Sequence, residues 1–231
     1  IICLLSSGLY IFLMIKLKIQ VSSIIKESYF NPIKNFIDRY GKFALLILLL
    51  ISLYRMADVV MGVMANIFYL EKGYAIKDIA TFSKFFGLIA TIVGCFLGGI
   101  IAMKFGTYKS LLIGAITASL TNVLFAFLAV IEKNLIYLAT IIIADNLASG
   151  FAGAAFVVYL SSLTSIRFTA TQYALFSSLM LFIPKLIAGY SGAIVDVINY
   201  PFFFIFTAIL GIPVIFIIIY LNKIKLKFHT K

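Results

Sequence analysis

Two opposite charges lie three residues apart in the middle of an apolar segment. Arg55 and Asp58 stand in the stretch SLYRMADVV, near the centre of the apolar run from Phe43 to Leu70. Each ionised side chain costs about 2.5–3.5 kcal/mol to place at the centre of a membrane helix. At this spacing the two side chains can meet within one turn of a helix. The pair indicates either static charge compensation or a group that handles protons or a polar solute.

Three more polar residues lie at similar depth in other apolar segments. Asp145 and Asn146 stand in one of them and Lys185 in another, and Tyr54 and Ser149 can add hydrogen bonds. Asp145 and Lys185 are opposite in charge, so they can pair across the interior of a helix bundle. Intramembrane ionisable residues are functional candidates by default. The sequence therefore predicts a proton or substrate pathway, with Asp58 as the proton carrier and Asp145 as the next candidate, lined by Arg55, Asp58, Asp145, Asn146 and Lys185.

The composition places these residues in a membrane. Of the 231 residues, 64% are apolar and 12% are charged, whereas soluble domains are about a quarter charged. A helix needs about 20 apolar residues to cross the hydrocarbon core. We therefore predict an all-α polytopic membrane protein with six full transmembrane helices, which are Phe43–Leu70, Ala80–Met103, Ser110–Ile131, Leu135–Leu160, Tyr173–Val195 and Pro201–Leu221.

The remaining segments predict the domain organisation. Residues 1–19 are apolar but too short for another crossing, and they lack the basic start of a signal peptide. We interpret them as the end of a further transmembrane helix. Residues 20–42 are predicted to form a connecting loop with an amphipathic helix, because Ile33, Phe36, Ile37 and Tyr40 recur at helical spacing. Residues 43–222 form the six-helix bundle, and residues 223–231 form a basic tail.

Lysine and arginine are unequally distributed between the two sets of loops. Thirteen of them lie on the side of residues 20–42 and the C-terminus, and the other side has only Lys72, Lys77 and Lys133. This positive-inside bias predicts that residues 20–42 and the C-terminus are cytoplasmic. The net charge of +11 is mostly this bias, so we expect no nucleic-acid partner.

An enzyme active site has little support in the sequence. The single histidine, His229, lies in the basic tail, and the two cysteines, Cys3 and Cys95, both stand in apolar runs. The sequence has no Cys/His cluster with metal-ligand spacing and no glycine-rich phosphate loop. We expect a protein that is not an enzyme and that has neither a metal site nor a cofactor.

Glycines predict close packing between the second and fourth spans. Gly87, Gly94 and Gly98 stand seven and four residues apart on one helix face, and Gly150 and Gly153 lie in the stretch ASGFAGAAF. Small residues at such spacing let membrane helices approach closely. A helix contact that moves during transport uses the same residue types and is the alternative interpretation.

The turn between the second and third spans carries a family resemblance. In GIIAMKFGTYK, Gly99, Lys104 and Gly106 match the loop motif of the major facilitator superfamily, whereas Met103 replaces its acidic residue. The stretches LYRMAD, SKFFGLIATIVG, DNLASGFAGAAFVVYLSSL and RFTATQYALFSSL occur in the same chain. Together they resemble AmpG-type muropeptide permeases of that superfamily, from residue 32 to about residue 221.

This resemblance implies a fold of two six-helix bundles, of which the chain supplies helices six to twelve. It implies proton-coupled import of anhydro-muropeptides across the bacterial inner membrane for cell-wall recycling. The implied partners are a small-molecule substrate, protons, the lipid bilayer and an N-terminal six-helix bundle. Two alternatives stay open: a carrier of another cargo such as acetyl-CoA, and a truncated remnant or membrane subunit that does not transport.

Overall fold

The computed structural model describes residues 26–229, with side chains from Glu27 to Ile224. This part of the chain is helical with short turns and contains no strand. The further helix predicted within residues 1–19 lies outside the described residues. The α-helices are α1 Asn31–Tyr40, α2 Ala44–Leu53, α3 Met56–Glu71, α4 Ile76–Ala80, α5 Gly87–Phe105, α6 Thr107–Val130, α7 Leu135–Leu163, α8 Thr169–Ala188 and α9 Ser191–His229.

Within the described residues, six helical segments are long and apolar enough to cross a membrane. Large apolar side chains such as Phe96 and Phe216 stay about two-thirds exposed on the outside of the bundle. Such a surface suits a lipid environment. The prediction of an all-α polytopic membrane protein is confirmed, with the segments Glu27–Glu71, Ile76–Phe105, Thr107–Val130, Leu135–Leu163, Ile166–Ala188 and Ser191–Ile224.

The fifth and sixth segments differ from their predicted bounds. The span predicted for Tyr173–Val195 already ends at Ala188, because the chain turns before α9 begins at Ser191. Inside α9 the backbone leaves the helical region at Asn199, with φ 63° and ψ 165°. Pro201 follows two residues later and has no N–H to continue the helical hydrogen bonds. The predicted start of the last span therefore falls at this break, and α9 then continues to His229 through most of the predicted basic tail.

Helices α5 and α7 approach each other through glycines on both sides. A Cβ atom at Gly94 would lie 2.9 Å from the backbone nitrogen of Phe151, and one at Gly150 would lie 3.0 Å from the Cα of Thr91. The first distance is shorter than real Cβ contacts and the second is shorter than most of them, so neither position accepts a larger residue without movement of the helices. Gly87 and Gly98 also face α7 at short distance.

The glycines of the loop motif have other environments. Among the residues that the structure describes, no heavy atom of a neighbouring segment lies within 4 Å of a Cβ built at Gly99, so Gly99 takes no part in the packing of these helices. Gly106 joins α5 to α6 with φ +86°, a conformation that L-residues rarely adopt. Lys104 is exposed at the end of α5. The motif therefore forms a tight turn with its cation at the surface.

Helix α1 docks on the ends of α7 and α8. Gln172 of α8 is 1% exposed, and its side-chain nitrogen donates to the Pro32 carbonyl at 2.9 Å. The rings of Phe36 and Phe176 pack edge to face, with centroids 5.1 Å apart. Arg39 donates hydrogen bonds to the carbonyls of Leu163 and Thr164, which end α7.

The apolar face predicted for α1 is only partly buried. Phe36 is 3% exposed, whereas Ile33 and Ile37 are 46% and 48% exposed. The helix ends at Gly41, where φ is 51°. Asn31 does not cap it, because a wide helical turn at residues 26–30 leads directly into the first turn. One side of α1 therefore binds the bundle and leaves a second apolar strip uncovered.

Candidate functional site

A polar layer separates two apolar cores inside the bundle. One core contains Tyr54, Ala115 and Phe156. The other contains Met56, Phe125 and Ile142. Polar side chains occupy the levels between these cores on three helices, namely Arg55 and Asp58, Thr121 and Asn122, and Asp145, Asn146 and Ser149. The predicted deep charges on the first and fourth spans therefore lie at one level.

A break between α2 and α3 positions Arg55 and Asp58. Helix α2 ends at Leu53 and α3 begins at Met56, and Arg55 between them has φ −94° and ψ 7°. Arg55 thus follows the C-terminal end of one helix, and Asp58 lies in the first turn of the next. A cation near a helix C-terminus and an anion near an N-terminus are both favoured by the helix dipole. The break therefore stabilises both charges at depth.

Arg55, Asp58 and Ser149 form a closed hydrogen-bonded cluster. The Arg55 Nη2 and Asp58 Oδ2 atoms are 3.2 Å apart. The Ser149 hydroxyl donates to Asp58 Oδ2 at 3.2 Å and accepts from Arg55 Nη2 at 3.3 Å. Arg55 Nη1 also donates to the Ser149 carbonyl at 3.3 Å. The predicted pairing of Arg55 with Asp58 is therefore present, and Ser149 of α7 binds both side chains.

Asp145 has a different environment from Asp58. Its Oδ1 atom accepts a hydrogen bond from the Thr121 hydroxyl at 3.0 Å. Among the described side chains, the only ion pair is Arg55–Asp58, so Asp145 has no cation bound to it. Within this layer, Asp58 is compensated by a guanidinium and Asp145 is held by a neutral hydroxyl.

The predicted pairing of Asp145 with Lys185 is not found. Lys185 is exposed on α8, between the exposed Phe182 and Leu186. The buried positions nearby are Pro184 and Ala188, which stand four residues apart on one face. Lys185 lies one residue beyond Pro184 and is therefore turned away from that face. The sequence shows the depth of a charge along a helix but not the side on which it lies.

Asn146 was predicted to line the pathway and Gly153 to pack against the second span, but their contacts in the structure are different. The Asn146 Oδ1 atom accepts from Thr91 of α5 at 3.2 Å, and its nitrogen donates to the Ile142 carbonyl at 2.8 Å. Asn146 therefore connects α7 to α5. Gly153 leaves room for the guanidinium, because a built Cβ would lie 3.5 Å from Arg55 Nη1. The small residue belongs to the charged site rather than to the α5 contact.

A cavity of about 350 Å³ joins the two carboxylates. Arg55, Asp58, Asp145 and Ser149 all line it, and its rim includes Gly62 and Val63. Both rim residues are exposed, so the cavity opens on the outer face of the described bundle. The arrangement presents one cation and two anions to whatever enters from that face.

Thr121 belongs to the site but was not predicted from the sequence, because the prediction selected charged residues and Thr121 is neutral. It donates to Asp145, and the neighbouring Asn122 is fully buried and donates to the Ala57 carbonyl at 3.4 Å. The two stand together as TN near the middle of the third span. Thr121 and Asn122 could have been identified from the sequence, because they are two adjacent polar residues at the depth of Asp58 and Asp145.

Known proteins provide an independent comparison. No family model matches the chain. The chain is 38% identical over 212 residues to the Rickettsia felis protein named "Putative transporter AmpG 4". The matched region covers 91% of this chain and 51% of that protein. The chain is 36% identical over 211 residues to the Rickettsia conorii protein of the same name, covering 90% and 50% of the two chains.

A third relative is an AmpG 1 protein of Rickettsia bellii, 36% identical over 203 residues, with 87% of this chain and 49% of the relative covered. The chain spans about half the length of the curated relatives it matches. These relatives are named as transporters, which agrees with the prediction of a protein that is not an enzyme. The chain is therefore related to the AmpG-type transporters, as its sequence motifs indicated.

Proposed function

We propose that this chain forms one half of a proton-coupled transporter that imports anhydro-muropeptides across the bacterial inner membrane. The names of the relatives support transport, and the resemblance in the motifs supports the cargo. The observation that carries the proposal is the cavity of about 350 Å³, which brings Arg55, Asp58 and Asp145 together at an open face of the bundle. A membrane protein keeps three ionisable groups at such a level only at a cost, which points to a use for them.

The cluster suggests separate roles for its two carboxylates. Asp58 and Arg55 neutralise each other, and Ser149 fixes their geometry. This pair can open towards a carboxylate of a peptide-bearing cargo, for which a guanidinium is the preferred partner. Asp145 has no bound cation among the described side chains, so a proton is its simplest neutralising partner. The geometry thus favours Asp145 over Asp58 as the proton carrier, the reverse of the order that the sequence indicated.

Transport then requires a second bundle over the open face. In secondary transporters the substrate site lies at the interface of two repeats, and one moves against the other. The chain should therefore transport nothing when reconstituted alone. It should take up labelled anhydro-muropeptide, in cells without a permease of their own, when co-expressed with the part of the Rickettsia felis relative that it does not match. Uptake is measured with and without a proton gradient.

The controls test two points, namely whether transport needs both halves and which cargo is carried. Each half expressed alone should give the uptake of empty cells, and labelled acetyl-CoA tests the alternative cargo. Saturable uptake by the purified chain alone would show that it works without the second half. Two inserted, associated halves that move neither cargo would contradict the proposed function.

The orientation of the chain is a further part of the proposal. The charge bias predicts a cytoplasmic C-terminus and an outward loop at residues 71–78. Alkaline phosphatase is active only outside the cytoplasm, so a fusion after Lys231 should be inactive and an insertion after Gly73 should be active. A fluorescent protein that folds only in the cytoplasm serves as the reciprocal reporter. The opposite pattern in both reporters would reverse the orientation.

A further inference from the structure

The hydroxyl group of Thr121 has two hydrogen-bond acceptors at the same distance. Its Oγ1 atom lies 3.0 Å from Asp145 Oδ1 and also 3.0 Å from the carbonyl oxygen of Ala118, three residues earlier in α6. A hydroxyl group has one hydrogen to donate and two lone pairs that accept, and it rotates to direct that hydrogen. Thr121 therefore donates fully to only one of these two oxygens at a time.

Burial limits the Thr121 hydroxyl to partners within the protein. Thr121 is 5% exposed, and the described residues that line the cavity beside Asp145 do not include it. The next residue, Asn122, is fully buried and donates to the Ala57 carbonyl of α3, which holds this part of α6 in place. Asp145 itself lines the cavity. A proton can therefore reach Asp145 from the cavity, while Thr121 contacts it from the buried side.

The two charge states of Asp145 need different hydrogen-bond partners. An ionised carboxylate only accepts hydrogen bonds, whereas a protonated carboxyl group also donates one. Thr121 can donate to the carboxylate. When Asp145 is protonated, Thr121 can accept from it, because its own hydrogen can turn to the Ala118 carbonyl. Both states thus keep their buried groups paired, and no helix has to move.

Asp58 lacks an arrangement of this kind. It is bound by Arg55, whose guanidinium only donates, and by Ser149, whose hydroxyl accepts from Arg55 and donates to Asp58. Among the described residues, no second acceptor lies within bonding distance of the Ser149 hydroxyl. A protonated Asp58 would therefore face groups that all donate.

The charged neighbours of Asp145 come from α3. Arg55 and Asp58 line the same cavity, and the ring of Tyr69 lies near Asp145. Lys84, which precedes α5, is exposed. The lysines within α5 and α6, the two helices that pack on α7, stand beside the turn that joins them. A neutral substitution in the middle of α6 therefore changes no charge at the site.

We infer that Thr121 is the positioning residue for the proton that Asp145 carries, an inference that rests on the proposed function. A proton from water on the outer side joins a carboxylate oxygen of Asp145. The new O–H group donates to Thr121, and the Thr121 hydrogen turns to Ala118. On release, that O–H bond breaks, the proton passes to water on the cytoplasmic side, and Thr121 donates to the carboxylate again.

The transport test uses the two co-expressed halves. Thr121→Val keeps the shape of the side chain and removes the hydroxyl. A hydrogen bond to an ionised group is worth roughly tenfold in an equilibrium constant, so the rate of proton-driven accumulation should fall about tenfold. Exchange of cargo moves no net proton and should keep the wild-type rate. Thr121→Ser restores the hydroxyl and should restore accumulation.

Thr117→Val is the matched control for the loss of a hydroxyl from α6. Thr117 stands one turn before Thr121, and its hydroxyl bonds to the Ile113 and Gly114 carbonyls of its own helix. This variant should keep both accumulation and exchange at the wild-type level. An equal loss of accumulation in Thr117→Val and Thr121→Val would show that the effect comes from α6 as a helix and not from the bond to Asp145.

Infrared spectroscopy tests the contact in the purified chain without transport. Acidification should add the carbonyl band of protonated Asp145, which is identified as the band that is missing in Asp145→Asn and present in Asp58→Asn. In Thr121→Val this band should move to higher frequency, because the carboxyl group has lost its buried hydrogen-bond partner. In Thr117→Val it should not move.

The outcomes separate this inference from the proposed function. Normal accumulation in Thr121→Val, or an infrared band that does not move, would overturn the role of Thr121 while transport itself stands. Thr121→Ser as impaired as Thr121→Val would assign the effect to the methyl group. Equal loss of exchange and accumulation in Thr121→Val would show a structural role only. Wild-type halves that move no cargo would contradict the proposed function, and the infrared band would still decide whether Thr121 bonds to Asp145.

Discussion

An Asp145→Asn variant, co-expressed with the complementary half, is expected to lose all uphill accumulation of cargo while it still exchanges cargo across the membrane. Asparagine keeps the size of the side chain and can still bond to Thr121, but it cannot carry a proton. Exchange of labelled for unlabelled cargo requires no net proton movement, so it should continue. Accumulation should fall to the level of vesicles from cells that lack the chain. Both quantities are measured in the same vesicles with an imposed proton gradient.

Two matched variants make this result specific. Asp196→Asn makes the same change at an exposed position of α9 and should leave both activities unchanged. Asp58→Asn leaves Arg55 without its ion-pair partner, so it should reduce exchange and accumulation together. If Asp145→Asn accumulates cargo normally, the assignment is wrong. If Asp58→Asn alone keeps exchange and loses accumulation, Asp58 is the proton carrier.

Gly94→Ala and Gly150→Ala should each strongly destabilise the bundle. A built Cβ at either position lies against backbone atoms of the opposite helix, which cannot rotate away as a side chain can. Overpacking of this kind costs about 1–3 kcal/mol. The free energy of unfolding is measured from the loss of helical circular dichroism as a denaturing detergent is added to the purified chain.

Gly99→Ala is the control for these two substitutions. It stands on the same helix, five residues after Gly94, and has open space around a built Cβ. Its stability should be unchanged or slightly raised, because alanine favours the helix more than glycine does. If Gly94→Ala and Gly99→Ala unfold at the same detergent concentration, α5 and α7 do not pack as closely as described.

Much of the fold could be predicted from apolar segment length. A continuous helix satisfies its own backbone hydrogen bonds, so a run of about 20 apolar residues indicates a membrane helix without knowledge of its neighbours. The spacing of Gly94 and Gly98 likewise predicted a thin helix face. The bounds of the fifth and sixth predicted helices are different in the structure. The chain turns at Gly189–Tyr190, and the non-helical backbone at Asn199 breaks α9.

The candidate site could be predicted only in part. The sequence alone determined that Arg55 and Asp58 can pair, because three residues along a helix bring two side chains onto one turn. It could not show which side of α8 carries Lys185, nor that Ser149 and Thr121 are the partners of the two carboxylates. These relations depend on how each helix is rotated against its neighbours. The rotation of α8 is set by its packing on α2 and α3, and that of α7 by its packing on α5 and α6, which only the tertiary structure decides.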